Sequence, residues 1–103
     1  SHQNAELDMG LRAMKEAQID ARQLIDAINS ARKIDGDLLD EVGHNHLDNL
    51  VHELSENISS GTIEEIREAT ERLNRVSSDF AASRMDLHIG HALKGEAIDN
   101  IDR

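Results

Sequence analysis

Histidines are the residues of this sequence best suited to chemistry near neutral pH, and there are six of them, because imidazole can bind a metal ion or carry a proton there. His44 and His46 would point to different faces of a helix, whereas His88 and His91 would share one face. None of these spacings matches the convergent ligands of a zinc site. We therefore expect ordinary surface histidines, no metal and no bound cofactor.

The segment His91-Ala92-Leu93-Lys94-Gly95 is a motif that indicates a more specific function than the histidine spacings do. It resembles the His-x-Leu-Lys-Gly signature of histidine-containing phosphotransfer domains, which are acidic helical bundles. That resemblance implies a phosphoryl group on His91, a countering charge on Lys94 and room for a partner at Gly95. Those domains carry the motif on a mid-chain helix, whereas only residues 96–103 follow it here. A phosphotransfer domain is the alternative prediction for function.

Length and charge limit the partners that the chain can have. Its 103 residues are enough for one domain and too few for two. The net charge of −10 is repelled by phosphate backbones and by anionic lipid. The absence of cysteine excludes disulfides, thiolate metal sites and cysteine nucleophiles, and it suits a reducing cytosol. No stretch approaches the roughly 20 apolar residues that a bilayer requires, so nucleic acid and membranes are poor partners.

The elements that must position any site are predicted to be helices. The sequence has no proline and one aromatic residue, and it is rich in residues that favour helices over strands. Apolar residues recur at three- and four-residue intervals, and Thr62 with Glu65 has the pattern of a capping box. This predicts an all-α fold, a small antiparallel helical bundle with a long first helix and no nucleophile or base that forms a catalytic site. We expect helices at about 4–33, 38–58, 62–83 and 84–94, with a tail over 95–103.

A second resemblance covers nearly the whole chain and is carried most clearly by its C-terminal part. The sequence resembles the C-terminal region of the HscA chaperones, the specialised seventy-kilodalton heat-shock proteins of iron–sulfur cluster assembly. The segments that carry the resemblance are Asp79-Phe80-Ala81-Ala82-Ser83-Arg84-Met85-Asp86, Ala92-Leu93-Lys94-Gly95 and Ile98-Asp99-Asn100-Ile101, with Ala5-Glu6-Leu7-Asp8, Leu54-Ser55-Glu56 and Glu64-Glu65-Ile66-Arg67-Glu68-Ala69 upstream.

The resemblance implies that the chain is the helical lid of a substrate-binding domain, excised from a longer bacterial, cytoplasmic chaperone. Such a lid is not a catalyst; ATP and magnesium would bind in the missing nucleotide-binding domain. The implied partners are the β-sandwich substrate subdomain of the same chaperone, an iron–sulfur scaffold protein as client, and a J-domain co-chaperone. A third possibility is a helical adaptor protein with no more specific function.

Two sets of residues are candidates for lid contacts. In the general chaperones the lid helix latches to the β subdomain through an acidic residue and a histidine one turn later, where this chain has Arg22 and Asp26. These two would make a different polar latch or an ordinary pair within the helix. Four apolar residues of the first helix are expected to be partly exposed, ready to pack on the β subdomain or to drive self-association of the fragment: Leu7, Met9, Leu11 and Met14.

Overall fold

The protein is described by a computed structural model that covers residues 2–95, with side chains from Asn4 onward. Within these residues the chain forms three α-helices and a single 3₁₀ turn and contains no strand, which confirms the predicted all-α class. The elements are α1 (His2–Asp35), the 3₁₀ turn (Gly36–Leu38), α2 (Glu41–Ser60) and α3 (Ile63–Leu93).

The helices pack as an up-down-up bundle in which consecutive helices are antiparallel. The amide of Gln18, on α1, donates to the carbonyl of Ile58 near the end of α2 at 3.2 Å. At the opposite end of the bundle, Arg32 of α1 contacts Asp48 in the first half of α2. Arg72 of α3 likewise reaches Glu53 of α2. Because α2 opposes both of its neighbours, α1 and α3 run parallel.

The bundle core is narrow and mostly aliphatic. Four side chains in it are almost completely enclosed: Leu47 and Leu54 of α2 and Ile66 and Leu73 of α3. Ala17, Ala21 and Ile28 of α1 complete the core, and Phe80 of α3 is also buried. The core members of α1 begin only at Ala17, so the first half of that helix projects beyond the bundle. The molecule is accordingly elongated, 62 × 27 × 21 Å.

The turns follow local chemistry that is visible in the sequence. The predicted capping box is present: Thr62 Oγ1 accepts from the Glu65 N–H at 3.1 Å, and Glu65 Oε1 accepts from the Thr62 N–H at 2.9 Å. At the start of α2 the cap is Asp40, whose carboxylate accepts from the Gly43 N–H at 2.7 Å. The predicted start at residue 38 is therefore three residues early, because residues 36–38 form the 3₁₀ turn instead.

The third and fourth predicted helices, 62–83 and 84–94, are one continuous helix, so the expected break at 83–84 is wrong. Nothing between Phe80 and Met85 interrupts helical hydrogen bonding, since the sequence there has neither glycine nor proline. The hydrophobic pattern changes because the apolar residues after Phe80 no longer face the core: Met85, Ile89 and Leu93 are 64%, 50% and 83% exposed. The predicted stop at Lys94-Gly95 is confirmed, with Gly95 at φ 76°. The rest of the predicted tail lies outside the described residues.

Candidate functional site

The projecting half of α1 exposes three large apolar side chains. Leu7, Met9 and Leu11 are 63%, 69% and 56% exposed, as predicted, whereas Met14 is half-buried against the core. At 100° per residue, Leu7, Leu11 and Met14 lie on one stripe, and Met9 lies on the opposite side of the helix. The stripe has the chemistry of a packing surface: it can bind an apolar partner but has no group that could react with one.

This stripe continues the face that α1 buries in the bundle. Three- and four-residue steps lead from Leu11 through Met14 to Ala17 and Ala21, which are 4% and 0% exposed. An apolar element placed against Leu7 and Leu11 would therefore lie just beyond the α2–α3 turn and extend the existing core in the direction of the projecting helix. The geometry specifies where such a partner would sit, on the side of α1 that faces the bundle.

The predicted latch residues Arg22 and Asp26 are both exposed on α1. They line a shallow groove between α1 and α2 together with Ser55 and Ile58. Among the described side chains no ion pair joins Arg22 to Asp26. Both side chains can therefore reach a partner that lies against this groove, and their latch role stays a prediction.

A polar cluster that the sequence analysis missed fixes the other end of the bundle. Asp35, the last residue of α1, is only 5% exposed. Its Oδ2 accepts from Arg84 Nε at 2.6 Å and pairs with His88 Nε2 at 2.9 Å, both from α3. Burial acts to raise the pKa of Asp35, but the hydrogen bonds and charges of His88 and Arg84 outweigh it and hold the pKa below its usual value. The carboxylate joins the two parallel helices.

A second set of polar contacts joins α1 to α2 beside the 3₁₀ turn. Arg32 Nε and Nη2 lie 3.2 and 3.0 Å from His44 Nδ1, and Arg32 Nη1 lies 2.7 Å from Asp48 Oδ1. His44 Nε2 lies 2.8 Å from the carbonyl oxygen of Gly36. The hydrogen bond from Arg32 is the main cause that holds the pKa of Asp48 below its usual value. His44, like His88, is partly exposed but makes polar contacts to another element, which the prediction of ordinary surface histidines did not include.

A signal for these clusters does exist in the sequence. Asp35 falls four residues after Ala31 on the buried stripe of α1, and Arg84 and His88 fall four and eight residues after the buried Phe80 on α3. A carboxylate and a cation that both occupy core-facing positions are expected to pair, because an unpaired buried charge is costly. Extending the apolar stripes through these positions marks Asp35, Arg84 and His88 as core-facing charges, but it does not show which of them meet.

The predicted phosphotransfer residues straddle the end of α3. His91 is half-buried in the last turn, Lys94 is exposed just after it, and Gly95 has a positive φ. His88 and His91 lie three residues apart on one continuous helix, as the predicted shared face requires, and His88 contacts Asp35. Within residues 2–95 no group of three histidine, aspartate or glutamate side chains is placed to hold a metal ion. Over the same part of the chain, no helix has the length and hydrophobicity needed to cross a membrane.

Comparison with known proteins gives relatives but no family model: no such model matches the chain. The chain is 40% identical over 101 residues to a chaperone protein HscA homolog of Neisseria meningitidis, covering 98% of this chain and 16% of that protein. Homologs of the same name in Acinetobacter baumannii and Shewanella oneidensis are 39% and 37% identical over 98 and 101 residues. The chain spans 16% of the length of each of these relatives.

Proposed function

Since the chain is an HscA-like segment over 98% of its length, consistent with the C-terminal region of an Hsp70-type chaperone, we propose that it is the helical lid of a substrate-binding domain. The lid closes over a client peptide held by the β-sandwich subdomain of the same chaperone. The chaperone assists iron–sulfur cluster assembly, and its client is the scaffold protein.

The observation that carries the proposal is that one half of the first helix packs in the bundle while the other half projects from it. A lid must be a rigid rod that is anchored at one end and available for contact at the other. α1 meets both requirements: it is a single helix of 34 residues, about 51 Å long at 1.5 Å per residue. Its second half packs in the core from Ala17 onward, whereas Leu7 and Leu11 are exposed and available for contact.

The bundle supports the proposal as the anchor of that rod. Leu54 and Leu73 are fully enclosed between the helices, and Asp35 ties the end of α1 to Arg84 of α3. A helix fixed by both apolar packing and a buried ion pair resists rotation about its own axis. The direction in which the free half of α1 points is therefore set by the bundle.

The remaining functions belong to parts of the chaperone outside this segment. We propose that the segment itself catalyses no reaction and binds no cofactor. ATP and magnesium act in the nucleotide-binding domain, where a J-domain co-chaperone stimulates hydrolysis, and the lid responds by closing and slowing peptide release. The place of action is the bacterial cytoplasm. The phosphotransfer alternative gains no support from the geometry, because His91 is half-buried.

The test is a chimera in which this chain replaces the matching segment of the Neisseria meningitidis HscA homolog. We expect the chimera to release a fluorescent client peptide more slowly than the same chaperone truncated before the segment. Leu7→Ser with Leu11→Ser should restore fast release, because both side chains lie on the stripe that must contact the β subdomain. Ile19→Ser is the matched control, since Ile19 is 50% exposed on another face of α1. Release as fast as that of the truncated chaperone would refute the lid role.

A further inference from the structure

Over its last three turns α3 carries an exposed apolar stripe that the bundle does not use. Met85, Ile89 and Leu93 are 64%, 50% and 83% exposed, and Ala82 and Ala92 are exposed on the same side. From Ala82 through Met85 and Ile89 to Ala92 the intervals are three, four and three residues. This is the spacing of the a and d positions of a coiled coil, so these four residues, here called the α3 seam, match the apolar face of a second helix.

Polar contacts on the other side of α3 hold the α3 seam towards solvent. On the same turns, Arg84 and His88 contact Asp35 at the end of α1 at 2.6 and 2.9 Å. At 100° per residue, Met85 and Ile89 are turned roughly 100° and 140° from Arg84 about the helix axis. The orientation of this part of α3 is therefore fixed with its seam open to a partner.

One edge of the α3 seam is acidic. Asp79 and Asp86 are both exposed and seven residues apart, so they occupy the same flanking position in successive heptads. The nearest cations on α3 are engaged elsewhere, because Arg84 pairs with α1 and Arg75 pairs within α3 at 3.3 Å. From α2, His46 lines the cavity beside Asp79. Among the described side chains no ion pair engages either carboxylate.

The charges make a second copy of this chain a poor partner for the α3 seam. The edge opposite Asp79 and Asp86 carries Ala81 and His88, and His88 already contacts α1. An antiparallel pair of α3 helices would bring the acidic edges of both copies together. A parallel pair would place each acidic edge against Ala81 and His88, which offer no lysine or arginine. The net charge of −10 on each copy adds to the repulsion.

We propose that the α3 seam binds a basic amphipathic helix of another protein. The apolar face of that helix covers Met85 and Ile89, and lysine or arginine residues beside that face pair with Asp79 and Asp86. The seam has only four core positions, so the complex buries a small area and is weak and reversible. The apolar stripe of α1 lies at the opposite end of the molecule and does not overlap with this surface.

The test is an NMR titration of the isotope-labelled chain with a synthetic peptide of three heptads. The peptide has leucine at a and d and lysine at e and g, and repulsion between its lysines prevents it from pairing with itself. We expect amide shifts concentrated over residues 79–93 of α3, and binding that weakens as salt screens the charges. The same peptide with glutamate in place of lysine should not bind.

Charge reversal at the acidic edge separates this site from general attraction to an acidic protein. Asp79→Lys with Asp86→Lys should weaken binding of the lysine peptide about tenfold and allow the glutamate peptide to bind. Glu16→Lys with Asp20→Lys is the matched control, because it changes the total charge equally at exposed positions of α1. Its affinity for the lysine peptide should stay within about twofold of the wild-type value.

Three outcomes would overturn the proposal. They are the absence of binding by the lysine peptide, an equal loss of affinity in the control variant, and amide shifts that lie mainly on α1. Sedimentation of the chain without peptide tests the competing occupant. Self-association that Met85→Ser with Ile89→Ser abolishes would assign the α3 seam to a second copy, whereas unchanged self-association in that variant supports the proposal.

Discussion

Replacement of Asp35 by asparagine tests the polar cluster at the end of the bundle. The substitution keeps the shape of the side chain but removes the charge that faces Arg84 and His88. Breaking a buried ion pair by removing one partner costs about 3–5 kcal/mol when the other charge stays enclosed. The side chains of Arg84 and His88 are 29% and 22% exposed, so both can reach water in part. We therefore expect a loss of roughly 2–3 kcal/mol in the free energy of unfolding.

The pH dependence gives the same prediction a sign. The pKa of Asp35 is lowered in the folded chain, so its stabilising contribution is complete above the unfolded pKa of about 3.9 and is lost as the pH falls through the folded value. The difference in stability between wild type and Asp35→Asn should thus stay near its full size at about pH 5 and shrink towards about pH 2.

Urea unfolding followed by circular dichroism measures this difference. Asp37→Asn is the matched control, because Asp37 is exposed two residues further on, and its cost should stay within about 0.5 kcal/mol. The reasoning fails if Asp35→Asn unfolds at the wild-type urea concentration, or if its deficit is as large at about pH 2 as at about pH 5.

Four further outcomes are expected. Leu73→Ala, at a fully buried position, should cost about 2–5 kcal/mol in chemical unfolding, and a cost below about 1 kcal/mol would contradict the core. Gly10→Ala should increase the free energy of unfolding by roughly 0.5–1 kcal/mol and so raise the melting temperature, because the added Cβ lies in a helix interior and meets nothing within 4 Å. An unchanged melting temperature would argue against a continuous α1. Thr62→Ala should cost about 1 kcal/mol through loss of the capping box, measured by thermal unfolding, and a neutral result would exclude that cap. Sedimentation velocity should show concentration-dependent self-association that Leu7→Ser with Leu11→Ser abolishes; a strict monomer at every concentration would rule it out.

Local sequence signals were sufficient to predict a helix boundary where the side chain of one residue caps the helix. Thr62 and Glu65 lie at the spacing that satisfies two free amides at a helix start, so the beginning of α3 was predicted within a residue. The class and the long α1 followed from composition and from apolar spacing, which do not depend on tertiary contacts. The start of α2 was missed because Leu38 and Leu39 fit a helical pattern as well as they fit the turn that the chain adopts.

The missed features depend on how the helices are placed against one another. The unbroken α3 was predicted as two helices because an apolar stripe was assumed to face a core, whereas Met85 and Ile89 face away from it. The Asp35–Arg84 contact joins residues 49 positions apart, a pairing that no local pattern contains. Its members were recognisable only as charges on buried stripes, and their partners became clear once α1 and α3 were known to run parallel.

Because the first half of α1 projects from the bundle, the direction in which its exposed stripe points depends on the number of residues between the stripe and the buried half of the helix. Each residue inserted before the buried part of α1 turns Leu7 and Leu11 by about 100° and moves them 1.5 Å outward, while the bundle is left unchanged. Two inserted residues would aim the stripe almost backwards, whereas seven would return it to within about 20° of its bearing, some 10 Å further out. Insertions of about seven residues would therefore keep the direction of the stripe and place it further from the bundle, whereas insertions of intermediate length would turn it away from the side of α1 that faces the bundle.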